Sequence, residues 1–205
     1  MRLVARGLAG ERGGEIIFSD VEISLGEGEG LVVTGPNGSG KSTMLRVIAG
    51  LLEPAEGEVL LEAPTDEFPT LEAAQHYLGH QNAMKPALTV RENLDFWQSF
   101  QGHEHMPVAE ALEMVGLETI GHLPFGYLST GQRRRIAIAK LLVSYRPIWL
   151  LDEPTAGLDK ASERQFAALM EAHMEDGGMI IAATHIPLGL DKVRSFDMGE
   201  HTTRC

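Results

Sequence analysis

The chain has 205 residues, 43% of them hydrophobic and 22% charged, which suits one folded domain with a sizeable core and excludes a disordered or low-complexity chain. Its formal net charge of -12 argues against a nucleic-acid partner, because such binding depends on neutralising phosphates with Lys and Arg. A single cysteine, Cys205, excludes an internal disulfide and fits a reducing compartment.

In chain order, Met1–Ala5 and Glu15–Leu25 alternate apolar and polar residues and predict strands. Met1–Gly10 lacks the continuous apolar stretch of a secretory signal. Leu31–Thr34 predicts a short buried strand that runs into a glycine-rich turn, and Ser42–Ala49 predicts a helix stopped by Gly50. Gly57–Leu61 predicts another strand, and the proline-rich acidic stretch Ala63–Pro69 a surface loop. After Tyr77–Gly79 and a loop from Gln81 to Leu88, the pattern is mostly helical from Thr89 to Leu142, with breaks at Gly102, Gly116 and Pro124. Ile148–Leu151 predicts an apolar strand, Ala161–Met174 a helix and Met179–Thr184 a buried strand. Strand and helix thus alternate around a helical insert, which predicts an α/β domain on a largely parallel sheet. No linker divides the chain, so one domain over 1–205 is predicted, with the helical part at about 85–145. No apolar run approaches the roughly 18 residues of a membrane span.

Gly35-Pro36-Asn37-Gly38-Ser39-Gly40-Lys41-Ser42-Thr43 fulfils the P-loop pattern between a predicted strand and a predicted helix. Its glycines let backbone N–H groups converge on phosphate oxygens, and the helix N-terminus adds a favourable dipole. Lys41 is placed to reach the β- and γ-phosphates of a nucleotide, and Ser42 to ligate Mg²⁺. The apolar strand Trp149-Leu150-Leu151 ends in Asp152 and Glu153. Adjacent acids at the end of a buried strand point to a cation and a reacting water. Asp152 fits the Mg²⁺-side carboxylate, and Glu153 the base that polarises the water.

Leu128-Ser129-Thr130-Gly131-Gln132 resembles the Leu-Ser-Gly-Gly-Gln signature of the ATP-binding-cassette family, with Thr130 in place of its third residue. The resemblance runs from the first strand to His185. It implies a P-loop NTPase of the cassette type, with a mostly parallel core sheet, an antiparallel β portion and a helical insert. It also implies an ATP hydrolase in which Ser129, Thr130, Gly131 and Gln132 reach the ATP held by a second copy, in an ATP-dependent dimer. By the same resemblance Gln81 touches Mg²⁺ and the water, Asp159 lies in a loop that crosses the dimer interface, and His185 sits on the γ-phosphate. An aromatic residue that stacks on adenine is usual before the P-loop. Here Arg12 stands at that point and offers its guanidinium plane, while Phe18 reads as a core strand residue. Arg133, Arg134 and Arg135 follow the signature, as is common in the family, and carry little weight as a nucleic-acid site.

Tyr77-Leu78-Gly79-His80-Gln81, Lys85, Leu88-Thr89, Glu92-Asn93-Leu94, Phe96 and Ala183-Thr184-His185-Ile186-Pro187-Leu188 resemble the ATP-binding subunits of bacterial haem exporters for cytochrome c maturation. So does the short length, with almost nothing expected after the strand that ends at Thr184. This implies integral-membrane partner subunits and a peripheral position on the cytoplasmic face of the bacterial inner membrane. The alternatives are a transporter ATPase with a different cargo, or a soluble cassette protein without a transporter. His103 and His105 read as solvated loop residues, since two histidines lack a full ligand set, and His201 and Cys205 read likewise.

Overall fold

The computed structural model describes residues 1–191 and 193–202; Cys205 lies outside them. Eight strands and five α-helices follow one another as β1 (Arg2–Arg12), β2 (Glu15–Gly26), β3 (Gly30–Thr34), α1 (Lys41–Ile48), β4 (Glu56–Glu62), β5 (Gln75–Leu78), α2 (Val90–Gln101), α3 (Val108–Met114), α4 (Thr130–Val143), β6 (Ile148–Asp152), α5 (Lys160–Glu175), β7 (Met179–Ala183) and β8 (Val193–Asp197) among the described residues. They form a three-stranded sheet, order β2-β1-β4, and a five-stranded sheet, order β5-β6-β7-β3-β8. The small sheet is antiparallel throughout. In the large one β6, β7, β3 and β8 pair in parallel.

The chain divides into two compact units, Met1–Tyr77 with Pro147–Pro154 and Met170–Cys205, and Leu78–Arg146 with Thr155–Leu169. The first holds both sheets and α1. Its parallel strands are covered on both faces, which explains why β6 and β7 are buried at every position and read as unbroken apolar runs. The second unit is helical, with α2 and α3 packed on α4. Its α4 buries nine consecutive-turn residues from Arg134 to Val143, and α2 starts with a capping box in which Thr89 and Glu92 satisfy each other's backbone N–H groups.

Several boundaries differ from the sequence reading. β1 continues to Arg12 across register shifts near Ala5 and Leu8, because bulges interrupt the alternation that a strand reading follows. β5 covers Gln75–Leu78, a short strand to which the sequence reading gave no bounds. The chain does not effectively end after β7. β8 pairs in parallel with β3, and a 3₁₀ turn at Met198–Glu200 follows. β8 is an edge strand of mixed charge, exposed at Arg194, Ser195 and Asp197, so no hydrophobic period announces it. The parallel register places the C-terminal ends of β3, β6 and β7 side by side, with Val33 opposite Ala183 and Ala183 opposite Asp152. Ligand sites of open α/β sheets form beyond such strand ends.

Candidate active site

The first unit brings the P-loop, Asp152, Glu153 and His185 to one edge of the large sheet. Thr34 ends β3, the residues from Gly35 to Gly40 turn, and Lys41 opens α1. Gly40 is the helix N-cap at φ 92° and supplies no side-chain cap, so the first N–H groups of α1 keep their donor capacity. A side chain is disfavoured there: an L-residue is strained at this φ, and a Cβ on Gly40 would stand 3.0 Å from the ring of Phe18, which is fully buried as its strand position requires. Lys41 is buried, and its Nζ donates to the carbonyls of Gly35 at 2.8 Å and Pro36 at 3.0 Å, drawing the loop around the ammonium. Met198 lies against Gly35 and Gly40 from behind, so the C-terminal segment that sequence reasoning passed over supports the loop.

Ser42 on α1 donates from Oγ to Asp152 Oδ1 at 2.8 Å. Asp152 is the last residue of β6 and is 1% exposed. A hydroxyl and a carboxylate meeting beside a phosphate loop are the oxygen donors that a hard divalent cation takes, so these residues fit Mg²⁺. Tyr77, at the end of β5, donates to the other oxygen of Asp152 at 3.4 Å. Burial raises its phenol pKa above the ordinary value, the Arg46 guanidinium opposes this, and the Asp152 charge adds to the rise.

Glu153 has left-handed backbone, φ 45°, where the chain leaves β6. Such a conformation in a non-glycine residue is costly, and here it is held by the Glu153 N–H donating to Ala183 O at 2.8 Å. The side chain meets His185 Nδ1 at 2.9 Å and accepts from Thr184 Oγ1 at 3.4 Å. A carboxylate and an imidazole beside the phosphate loop can share protons with a water attacking phosphorus. In the sequence Tyr77 and Thr184 stand out only within the family resemblance. Nothing in their spacing marks them, because their roles come from neighbours far along the chain.

The second unit holds Gln81, the signature and Asp159. Gln81 lies in the loop after β5. Ser129 is the N-cap of α4: its Oγ accepts from Gln132 N at 3.2 Å, and the Gln132 side chain accepts from Ser129 N at 2.9 Å. The signature is therefore a capping box as well. The Ser129 hydroxyl and the first N–H groups of the helix are the donors with which a helix start takes an anion. A Cβ on Gly131 would stand 3.0 Å from the Gly157 carbonyl, so the absence of a side chain eases the close approach of these two backbones. Two residues beyond Gly157, Asp159 accepts from Ser162 N at 2.8 Å and starts α5. That backbone bond is the main cause of its lowered pKa.

The three arginines after the signature turn to carbonyls: Arg133 to Gly126, Arg134 to Gly79, and Arg135 to Val115 and Gly116. They brace loops of the second unit. Arg12 is exposed at the end of β1, paired with Glu15 across the Gly13-Gly14 turn. His103 and His105 are exposed, but the segment is not free loop: Glu104 bridges Ser144, and the His105 ring packs beside Tyr145. His201 likewise departs from a solvated reading, for its ring stacks on Phe196 at 4.8 Å. Among the described residues no cluster of three or more His, Cys, Asp or Glu side chains is arranged to hold a metal ion.

The family model described as "ABC transporter" matches residues 18–156, from β2 through the P-loop, the signature and both acids. The chain belongs to the ABC transporter family. Among curated proteins, this cassette is 68% identical over 191 residues to the "Cytochrome c biogenesis ATP-binding export protein CcmA" of Mesorhizobium japonicum, covering 93% of this chain and 95% of that one. A putative ABC transporter ATP-binding protein from Pyrococcus furiosus shares the fold at TM-score 0.85, with 22% identity and 99% of this chain and 100% of that one covered. The dimeric post-hydrolysis structure of the cassette MJ0796 bound to ADP and Pi is 31% identical, with TM-score 0.76 over 90% of this chain and 88% of that one. The cassette is thus an ATP hydrolase of the ABC type, with the P-loop NTPase fold. Among the described residues no helix is long and apolar enough to cross a membrane.

Proposed function

We propose that this ABC ATPase is the nucleotide-binding subunit of a membrane transporter that powers haem export or haem handover for cytochrome c biogenesis, working at the cytoplasmic face of the bacterial inner membrane. The observation that carries the ATPase chemistry is the grouping of Lys41, Ser42, Asp152, Glu153 and His185 at the ends of β3, β6 and β7. The cargo and membrane setting rest on the 68% identity to a cytochrome c biogenesis export protein and on the resemblance of residues 77–96 and 183–188.

In this reading the residues from Gly35 to Thr43 bind the ATP phosphates, with Lys41 released from the Gly35 and Pro36 carbonyls to meet them. Ser42, Asp152 and Gln81 hold Mg²⁺, which when bound neutralises phosphate charge. Glu153 accepts a proton from water as the water oxygen bonds to the γ-phosphorus. The bond from that phosphorus to the β–γ bridging oxygen breaks, and ADP leaves with the electron pair. His185 holds the γ-phosphate. Arg12 lays its guanidinium plane on adenine. Ser129, Thr130, Gly131 and Gln132 cover the ATP of a second copy, and Asp159 lies at the seam between copies. The dimeric relative with ADP and Pi supports such an assembly. The chain is one cassette domain over 1–205. The second compact unit, Leu78–Arg146 with Thr155–Leu169, supports a helical subdomain somewhat wider than about 85–145.

Purification of the cassette with its membrane subunits, followed by an assay of ATP-dependent haem transfer, tests the assignment. Retention of integral-membrane partners and loss of haem transfer in Glu153→Gln is the expected result. A complex that moves another cargo and ignores haem contradicts the haem role while leaving the ATPase in place.

A further inference from the structure

The carboxylate of Asp152 is gripped at both oxygens. Ser42 Oγ donates to Oδ1 at 2.8 Å, and Tyr77 Oη donates to Oδ2 at 3.4 Å. The two hydroxyls come from different elements, the helix α1 and the strand β5 that neighbours β6 in the sheet. Asp152 is 1% exposed, so bulk water does not supply the restraint that a surface carboxylate would have. The Cβ–Cγ torsion of an aspartate is broad, so the plane of its carboxylate is set by the groups that bond its oxygens. A donor on the second oxygen helps to hold that plane. Tyr77 suits that task because its phenol is rigid and half-buried and its hydroxyl has a hydrogen to give to Asp152 Oδ2. No step of the proposed hydrolysis uses Tyr77.

We propose that Tyr77 is a positioning residue for the cation site: its hydroxyl sets the plane of the Asp152 carboxylate so that Oδ1 faces Ser42 and the divalent ion held there. This rests on the reading of Asp152 as the Mg²⁺-side carboxylate. Tyr77 also hydrogen-bonds Arg46, and the role proposed here is exerted through Asp152. Its loss therefore appears in cation affinity, and excess cation restores turnover.

The test uses the full chain with Mn²⁺ as the probe. Protein is kept in excess over ADP so that the nucleotide is bound, and free Mn²⁺ is followed by electron paramagnetic resonance. Tyr77→Phe removes only the hydroxyl. It is expected to weaken Mn²⁺ binding to the protein–ADP complex about 3- to 10-fold, the effect of one hydrogen bond. ADP affinity in EDTA and the melting temperature are expected to match the wild type. kcat at saturating Mg²⁺ is expected to return to near the wild-type value. Asp152→Asn, run beside it, is expected to lose most Mn²⁺ binding. If Asp152→Asn weakens Mn²⁺ binding and Tyr77→Phe does not, the role given to Tyr77 is overturned and the reading of Asp152 stands. If neither variant changes Mn²⁺ affinity, the reading of Asp152 fails and the role of Tyr77 fails with it. If Tyr77→Phe also lowers ADP affinity in EDTA or melts early, Tyr77 is a packing residue and the proposal is overturned.

Discussion

Lys140 lies on α4 with 5% of its surface exposed, and its ammonium sits 4.8 Å from the centre of the Trp97 ring. The aromatic face offsets part of the cost of burying a charge. The rest shows in the pKa, which burial, helped by the nearby Arg134 charge, lowers from 10.5 to about 8. Between those values the unfolded chain binds more protons at this site than the native one, so stability rises with pH through that window. Below about 8 the full penalty applies. Lys140→Met is predicted to stabilise the cassette by about 1–3 kcal/mol at pH 7 and to flatten the upward slope of stability between pH 8 and 10.5. Thermal unfolding across that range checks it, and a variant less stable at pH 7 with the slope intact contradicts it. Lys140 was not singled out in sequence, where a lysine on a helix reads as a surface residue. Lys41, Asp152 and Glu153 were legible because phosphate and water chemistry demands those residue types at fixed spacing. Tyr77 and Thr184 were not, since only the pairing of β5, β6 and β7 brings them to the acids.

Helix starts differ in a way that matters to function. α1 begins on Gly40 with no side-chain cap, whereas α2 and α4 begin with capping boxes. The open start suits an anion held within the chain, and the capped start of α4 has its backbone order built in before any second copy arrives. Ser129 thus has a structural duty beside its proposed contact with phosphate, and substitutions separate the two. Ser129→Ala is predicted to cost about 1 kcal/mol of stability through the lost cap. Ser129→Asp retains the cap and so the stability, but places a negative charge where the partner's γ-phosphate is proposed to lie, and is predicted to abolish ATP-dependent dimerisation. Thermal unfolding beside light scattering distinguishes these outcomes, and an Asp variant that dimerises normally contradicts the proposed contact. At this scale the sequence was most readable where a strand is buried on both faces, as in β6 and β7. It was least readable in β8, whose charges break any period, and in β1, where bulges do.

Across the whole molecule the large sheet sets the site by register alone: parallel pairing brings three strand ends together, and each delivers one part of the chemistry. That arrangement was legible as an α/β pattern and its helical part as an insert at about 85–145, but not that Thr155–Leu169 joins the second compact unit, because each unit draws on segments separated along the chain. The signature and the P-loop lie in different units, and the proposed reaction needs the signature of a second copy. The most direct test is therefore the oligomeric state of Glu153→Gln. Light scattering after size exclusion is predicted to find it monomeric without nucleotide and with ADP, and dimeric with ATP and Mg²⁺, with ATP turnover nearly abolished. A variant that hydrolyses ATP at the wild-type rate and stays monomeric with ATP contradicts both the assigned base and the shared site.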